Sequence, residues 1–271
     1  MRHAALALAL AACTATTAAA EIAPADLYTA QVRVTGQGEA TRAAGFARAL
    51  REVIAKLAGD PRLMASPAVD APAADAGAMV AAFSYRDLMA GIPSHDERGS
   101  RDRPFELTVR FAPARVDAAL AALGRRPWPL PRPRVVALIA VHPAGGAAYA
   151  LSADGVQGRD PRESLREAAW RAGLPLVLPR EEALAAGALA AAPLEADAAA
   201  LAALARASGG TLVLAGQLTW SDSALGWIGE WRLDAPAGAV RWRIGGVTFD
   251  DAFRNAAGGA ARVLSGSGPP D

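Results

Sequence analysis

Cysteine and histidine are scarce in this chain of 271 residues. The single cysteine, Cys13, excludes an internal disulfide bond and a zinc site built from four cysteines. One of the three histidines, His3, lies in the N-terminal leader described below, which leaves His95 and His142 for the rest of the chain. So few histidines disfavour a histidine-rich metal site, and no cofactor is expected.

The chain also lacks a charge surplus and a long hydrophobic run. It contains 28 basic and 27 acidic residues, and Arg2 is the only charged residue before Glu21. A balanced charge disfavours a dedicated nucleic-acid binder, which normally carries a basic surplus or stripe. No stretch reaches the roughly 18 consecutive apolar residues that a membrane span requires. With 52% hydrophobic and 20% charged residues, the chain has the composition of a folded protein.

Residues 1–20 have the three parts of an export signal. Arg2 provides a positive start, residues 4–12 form an apolar run, and Ala18-Ala19-Ala20 is typical of a signal-peptide cleavage site. An alternative is that Leu10-Ala11-Ala12-Cys13 is a lipobox, in which Cys13 is acylated and becomes the first mature residue. Both alternatives predict a periplasmic protein. In the second, a lipid on Cys13 attaches it to the outer membrane, and no other contact with a membrane is expected.

Residues 21–124 are predicted to form an N-terminal module that contains strands and helices. Residues 28–35 alternate apolar and polar side chains, which is the period of a half-buried strand. Residues 41–58 place apolar side chains at steps of three and four, which predicts an amphipathic helix. Residues 65–78 mix Ala, Pro, Asp and Gly and are expected to form a loop. Residues 92–103 are polar and are expected to form an exposed hairpin tip.

A proline-rich segment, residues 125–134, is predicted to link this module to a second one. Its four prolines occupy alternate positions, which excludes a helix and favours an extended path: Pro127, Pro129, Pro131 and Pro133. The alternative is a surface loop within one domain. The second module is predicted to span residues 135–266 and to be followed by a flexible tail, residues 267–271.

The second module begins with a continuously apolar stretch, residues 135–141, which favours a strand covered on both faces. Asp160-Pro161 is predicted to start a helix, with Asp160 as its cap. Three strands in residues 212–244 are predicted to form an antiparallel meander, and residues 250–264 a C-terminal helix. The fold class is therefore expected to be α+β (mixed α/β), with two small layered modules. The second is a sheet with packed helices, the meander and the last helix.

The order of these elements resembles an uncharacterised bacterial envelope family, domain of unknown function 2066. The resemblance is carried by residues 27–63, by residues 104–141 and by residues 205–220 with the tryptophan-bearing hairpin that follows. It implies an envelope location and no catalytic residues. The second module is also distantly similar to the amino-terminal domain of the Tol–Pal translocation protein, to lipoproteins that activate penicillin-binding proteins and to the curli secretion lipoprotein. Those similarities imply an interaction module.

The candidate partner-binding residues are tryptophans and one histidine. Trp227, Trp231 and Trp242 share one face of the meander. If that face packs on the C-terminal helix they are core, and if it is exposed they form an apolar platform for a partner. Trp128 in the linker is either part of a docking strip or an anchor of the junction. His95 lies in the predicted hairpin tip.

These observations favour a non-enzymatic periplasmic protein that binds another protein of the bacterial cell envelope. The identity of that partner and the oligomeric state are not determined by the sequence. A first alternative is an envelope hydrolase, which requires His95 or His142 beside a carboxylate or a hydroxyl group. A second alternative is a carrier of a small apolar ligand, which requires a cavity between the two modules.

Overall fold

The computed structural model describes residues 23–91, 95–96, 99–100, 103–185 and 189–270, and only the backbone at 24, 95–96 and 99–100. The leader and Cys13 therefore lie outside the described residues, as does most of the expected hairpin tip. Helices and antiparallel sheets occur together, which confirms the predicted α+β fold class.

The N-terminal module contains an antiparallel sheet of three strands in the order β1-β5-β2. Its strands are β1 (Thr29–Thr35), β2 (Val80–Asp87), β3 (His95–Asp96), β4 (Gly99–Ser100) and β5 (Pro104–Phe111). Its helices are α1 (Pro24–Leu27), α2 (Glu39–Ala58), α3 (Asp70–Ala74), α4 (Ala76–Met79) and α5 (Pro113–Ala122). Among the described strands, β3 and β4 pair only with each other.

Helix α2 covers the face of this sheet that carries the apolar side chains of β1 and β5. Along β1, Val32 and Val34 are buried and Arg33 is exposed, as the alternating sequence pattern predicts. The buried face of α2 carries the residues that the helical spacing predicts: Phe46, Leu50, Val53, Ile54 and Leu57. The opposite face of the sheet is polar.

The prediction of a loop over residues 65–78 was wrong. This segment contains two 3-10 turns, Pro61–Ala65 and Pro67–Val69, followed by α3 and α4. The prolines begin both turns. Buried side chains hold the segment against α2: Leu63, Val69, Ala73, Ala76 and Met79. Tertiary burial of these short helices therefore outweighs the loop-like composition of the segment.

The C-terminal module contains a mixed sheet in the order β11-β10-β9-β6-β7, with β8 also paired to β6. Its strands are β6 (Val135–His142), β7 (Tyr149–Ala150), β8 (Leu176–Val177), β9 (Leu212–Ser221), β10 (Gly226–Ala235) and β11 (Gly238–Val247). Its helices are α6 (Arg159–Ala172), α7 (Glu181–Ala185), α8 (Ala198–Ala207) and α9 (Phe249–Ser265), and Pro193–Glu195 forms a 3-10 turn. The strands β9, β10 and β11 form the predicted meander.

Helices cover both faces of this second sheet. One hydrophobic cluster joins Ile139 and Val141 of β6 to α6 and α9, and another joins Val136 and Leu138 to α7 and α8. Residues 135–141 are therefore buried on both sides, as their continuously apolar sequence predicts.

The starts of two helices differ from the sequence prediction. Helix α6 begins at Arg159, and Gly158 stands at the capping position that Asp160 was predicted to fill. Helix α9 begins at Phe249, and its cap is Thr248, whose hydroxyl accepts a hydrogen bond from the backbone N–H of Asp251 at 3.1 Å. Each helix therefore begins before its predicted first residue. The residue at the capping position is set by where the backbone leaves the helical conformation.

Residues 125–134 contain no helix or strand and run from α5 to β6. That this segment links two separately folding modules stays a prediction. Among the described residues, no helix has both the length and the hydrophobicity to cross a membrane.

The sheet–helix packing of the N-terminal module predicts the effect of Gly45→Val. A Cβ atom at Gly45 in α2 would lie 2.6 Å from Leu107 Cδ2 and 3.0 Å from Val34 Cγ1. Overpacking of this kind costs about 1–3 kcal/mol. We expect the free energy of unfolding in urea to fall by that amount. The control, Ala44→Val at an exposed position of α2, should cost only a few tenths of a kcal/mol. An equal loss in both variants would contradict the packing argument.

Candidate functional site

The structure places the candidate tryptophans mostly in the interior. Trp128, Trp231 and Trp242 are only 5%, 1% and 8% exposed. Trp227 is half-buried, and its ring contacts Trp220 edge-on with centroids 5.7 Å apart. The expectation of an exposed tryptophan platform is therefore corrected, and the core alternative describes the positions of these rings.

Small residues on α9 explain why two tryptophans of the meander can be buried. Trp242 lies against Gly259, where a Cβ atom would be 2.7 Å from the indole nitrogen. Trp231 packs on α9 through Phe253, and its indole N–H donates to Asn255 Oδ1 at 3.1 Å. The alternating apolar residues of the meander strands predict which face of the sheet carries the tryptophan rings. That this face is buried depends on the packing of α9 against it.

Of the two candidate histidines, His142 is the one whose side chain is described, and Cys13 lies outside the described residues. His95 lies in β3, where it is paired with Ser100, and its side chain is not described. His142 ends β6, and its Nε2 atom is buried without a hydrogen-bond partner in the described part of the chain. The hydrolase alternative requires such a partner. No three His, Cys, Asp or Glu residues within the described ranges are placed to hold a metal ion.

The most concentrated set of buried polar contacts lies where the two modules meet. We call this region the junction; it comprises residues 52–60, 128–132, 170–173 and 262–267. At its centre, the last carbonyl groups of α2 accept hydrogen bonds from the linker and the C-terminal module. Because a helix leaves its last four carbonyls without partners inside the helix, such donors must come from elsewhere.

The donors at the end of α2 are the Trp128 backbone N–H and the side chains of Arg132 and Ser265. The Leu57 carbonyl accepts from the Trp128 backbone N–H at 2.7 Å and from Arg132 Nη2 at 3.3 Å. The Lys56 carbonyl also accepts from Arg132 Nη2, at 3.1 Å. Beyond the helix, the Gly59 carbonyl accepts from Ser265 Oγ at 3.1 Å. The end of α2 is thereby hydrogen-bonded to the linker and to the C-terminal module.

Arg132 connects the ends of two helices. Its side chain is buried, its guanidinium lies 4.3 Å from the centre of the Trp128 ring, and its Nη1 donates to the Gly173 carbonyl after α6 at 2.6 Å. Gly173 has a φ of 63°, and any Cβ atom there would overlap Arg132. Burial lowers the pKa of Arg132 to about 10, so the group remains a cation at neutral pH. Trp128 is therefore an anchor of the junction.

Lys56 is a second buried cation beside Arg132. It is 2% exposed, and its Nζ donates to the carbonyls of Thr29 at 2.7 Å and Asp26 at 3.2 Å. The same Nζ lies 3.7 Å from the centre of the Trp170 ring on α6. Burial lowers the pKa of Lys56 to about 7, although the negative charges of Glu52 and Asp26 oppose that shift.

Ion pairs join the modules around these two cations. Arg171 of α6 contacts Glu52 of α2 at 2.9 Å, and burial raises the pKa of Glu52 although Arg171 lowers it. Asp60 is 1% exposed and lies 2.8 Å from Arg62 and 3.9 Å from Arg262 of α9. Burial alone would raise the pKa of Asp60, but hydrogen bonds from Arg62 and the charges of both arginines bring it below its usual value.

A small cleft opens beside Lys56 between α2, α6 and α9. Its volume is about 100 Å³, and its walls are formed mainly by small apolar residues with Glu52, Arg171 and Arg254 at the rim. Ligand sites for small molecules usually enclose about 300–1,000 Å³. This cleft is therefore smaller than such a ligand site. A larger surface pocket of about 380 Å³ lies at the linker, but its walls are residues 130–134, Pro175, Gly209 and Thr211, with none from the N-terminal module.

A different surface is available at the far side of the C-terminal module. The strand β11 has ten residues and pairs only with β10, so its outer edge is open among the described residues. Arg241 and Arg243 are exposed on this strand, in long ionic contacts of 3.5 Å with Glu195 and 3.7 Å with Glu230, and Arg241 Nη2 also donates to the Leu194 carbonyl at 2.8 Å. Exposed pairs of this kind contribute little to stability and exchange readily with other anions. We call this surface the β11 edge.

Nothing in the local sequence marks Lys56 or Arg132 as a buried cation, or Gly173 as a contact of Arg132. Lys56 has the sequence context of a solvated lysine within an amphipathic helix, and its contacts come from residues 26–29 and from Trp170. The four prolines predict an extended linker, but nothing in the local sequence indicates that Arg132 is buried. Only the approach of the two modules brings these residues together.

Comparison with known proteins assigns a class to the N-terminal module alone. Residues 19–129 match the model of a family described as Domain of unknown function (DUF8605), which covers less than half of the chain. The expected resemblance to domain of unknown function 2066 was wrong, because the matching family is a different one. That resemblance rested on the order of elements, which unrelated α+β proteins share.

No curated protein and no solved structure matches the chain. The distant similarity of the second module to the Tol–Pal protein and the envelope lipoproteins therefore has no support from a structural match. What the comparison establishes is an uncharacterised domain in the first half of the protein.

The role of Arg132 can be tested with Arg132→Met. Removal of the guanidinium leaves buried carbonyls unpaired at the ends of α2 and α6, at a cost of about 1–3 kcal/mol for each. We expect a clearly lower free energy of unfolding in urea. Arg126→Met in the same linker is the control, because Arg126 is exposed and should change stability by less than about 0.5 kcal/mol. Similar values for the two variants would show that the junction does not depend on Arg132.

Lys56 predicts a pH dependence of stability. Its pKa is about 7 in the folded protein and 10.5 in its ordinary state, so the unfolded chain binds more protons between these values. The free energy of unfolding should therefore rise as pH increases from 7 to 10. Lys56→Met should lack this contribution, so wild type should gain stability relative to the variant across that window. Urea unfolding at pH 7, 8.5 and 10 measures the difference, and a constant difference would contradict the assignment.

Proposed function

We propose that this protein is a non-enzymatic interaction module of the bacterial cell envelope, and that it binds another envelope protein through the β11 edge. The observation that carries the proposal is the open edge of a ten-residue strand on a sheet covered by helices on both faces. Such an edge presents unpaired N–H and C=O groups, which an extended segment of another chain can complete by strand addition.

The envelope location is supported by residues 1–20. A positive start, a short apolar run and a small-residue cleavage site form the pattern of an export signal. Acylation at Cys13 is the alternative form of the same proposal. In either form the mature protein reaches the periplasm.

The β11 edge favours a partner segment with acidic side chains. Arg241 and Arg243 are exposed, and β11 itself carries no acidic residue. An extended segment that aligns with β11 can place carboxylates beside these two guanidinium groups, which adds charge-assisted hydrogen bonds to the main-chain ladder. A neutral or basic segment gains only the main-chain hydrogen bonds.

The location is tested by expression in a Gram-negative host followed by cell fractionation and mass spectrometry of the N-terminus. We expect the protein in the periplasm or in the outer-membrane fraction, beginning at Glu21 or at an acylated Cys13. An uncleaved N-terminus on protein from the cytoplasm would overturn the proposal.

The binding surface is tested by photocrosslinking from Ala239, an exposed residue of β11, in intact cells. Arg243→Glu should reduce the yield of the crosslinked partner about tenfold, because it places a like charge opposite the acidic segment. The matched control is Arg206→Glu, which makes the same change in net charge at an exposed position of α8. Equal yields from both variants, or a partner with no acidic extended segment, would overturn the assignment of the surface.

A further inference from the structure

The three long edge strands of the two sheets differ in how their outer edges are protected. On β1, Lys56 donates to the Thr29 carbonyl at 2.7 Å and Arg48 donates to the Arg33 carbonyl, so side chains of α2 cap that edge. On β11, two exposed arginines line the edge. Cationic residues and side-chain caps are the usual means by which proteins prevent unwanted strand pairing.

On β2 the nearby cation lies over a ring and not along the main-chain edge: the Arg42 guanidinium of α2 is 5.7 Å from the centre of the Phe83 ring. No strand pairs with its outer side among the described residues. Its first residues form a bulge, and the regular ladder with β5 runs from Ala82 to Asp87. Its two charged residues, Arg86 and Asp87, are already paired within the chain, with Glu106 at 2.9 Å and with Arg103 at 2.9 Å. The central residues of β2, Ala82 to Tyr85, therefore carry no charged side chain of their own.

The hydrogen-bond pattern identifies which groups of β2 face outward. The Leu88 N–H donates to the Pro104 carbonyl of β5 at 3.1 Å. Because bonded and unbonded residues alternate along an antiparallel pair, Arg86, Ser84 and Ala82 also bond to β5. The main-chain groups of Phe83 and Tyr85 consequently point away from the sheet, where another strand can pair with them.

The aromatic rings of β2 lie at the border of the face covered by α2. Phe83 is 46% exposed although its ring contacts Phe46 of α2, with centroids 5.2 Å apart. Tyr85 continues the row, 5.9 Å from Phe83 and 6.0 Å from Phe105. Helix α2 packs mainly over β1, so the part of this face that lies on β2 is only partly covered.

We propose that β2 pairs antiparallel with β2 of a second copy of this chain, with Ser84 on the two-fold axis. In this register Phe83 of one copy lies opposite Tyr85 of the other, and both outward-facing pairs of main-chain groups form hydrogen bonds. The two three-stranded sheets become one six-stranded sheet, with a helix α2 over each half. Aromatic residues opposite each other across an antiparallel pair stabilise it, and the exposed ring of Phe83 becomes covered.

Opposition of like charges disfavours a second copy at β11 but not at β2. In the Ser84-centred pair, Arg86 lies opposite Ala82 of the second copy, and no two like charges are opposed. A β11 pair centred on Trp242 would place Arg241 opposite Arg243 of the second copy, and like charges in that position are destabilising. The two edges therefore differ in partner: β2 fits this chain itself, and β11 fits an acidic segment.

The first test is the mass of the purified mature protein by light scattering and its dimer dissociation constant by analytical ultracentrifugation. We expect twice the monomer mass at micromolar concentration. A monomer at all concentrations up to about 100 μM would overturn the proposal, whatever the outcome at the β11 edge.

The second test uses the residue on the axis. Ser84 is exposed, and its side chain lies on the polar face of the sheet, so changing it should not affect the folding of the monomer. Ser84→Lys and Ser84→Glu should each raise the dimer dissociation constant about fivefold or more, because two like charges then face each other. The control is Thr35→Lys at an exposed position of β1, which should leave that constant unchanged.

Mixing the two variants tests the register itself. An equimolar mixture of Ser84→Lys and Ser84→Glu proteins should recover the dimer as a heterodimer, which native mass spectrometry identifies by its mass. Dimers that resist both single substitutions, or a mixture that remains monomeric, would show that the copies do not pair through β2 around Ser84.

Discussion

The structure depends on which groups donate hydrogen bonds to the last carbonyls of helix α2. A helix that ends inside a protein needs donors for its last carbonyl groups. Here the Leu57 carbonyl receives the Trp128 backbone N–H, and Arg132 serves α2 and the Gly173 carbonyl after α6 together. These donors come from the linker, and Ser265 of the C-terminal module donates to the Gly59 carbonyl just beyond the helix, so residues outside the first module complete the hydrogen bonding at the end of its longest helix.

Burial of two cations at this point carries an electrostatic cost that the surroundings partly offset. Arg132 meets carbonyl oxygens and the face of Trp128, and Lys56 meets two carbonyl oxygens and the face of Trp170. Carbonyl dipoles and aromatic faces stabilise a cation without adding a second buried charge. The lowered pKa values of both groups show that desolvation still exceeds this compensation. The junction is thus a specific connection that becomes more favourable as Lys56 loses its proton.

The two sheets also differ in the character of their open strand edges. The junction and α2 occupy the outer side of β1, which leaves β2 and β11 as the long edges without side-chain caps. The central residues of β2 are uncharged and two of them are aromatic, whereas β11 carries two arginines. This difference is the basis for assigning a second copy to the first and an acidic partner segment to the second. The matching domain of unknown function ends within the linker, so it contains β2 but not β11.

The sequence by itself determined the elements whose pattern is periodic: the alternation of β1, the apolar face of α2, the doubly buried β6 and the meander. In each of these, side-chain spacing records burial directly. It did not determine the short helices of residues 61–79, the burial of Trp128 or the positions of Lys56 and Arg132. Those depend on contacts between separate elements of the chain, as when Arg132 meets the Lys56 carbonyl or Arg171 meets Glu52, and no local pattern encodes such a contact. Tertiary structure alone decided that the junction is packed, that the tryptophans are core, and that two strand edges remain open.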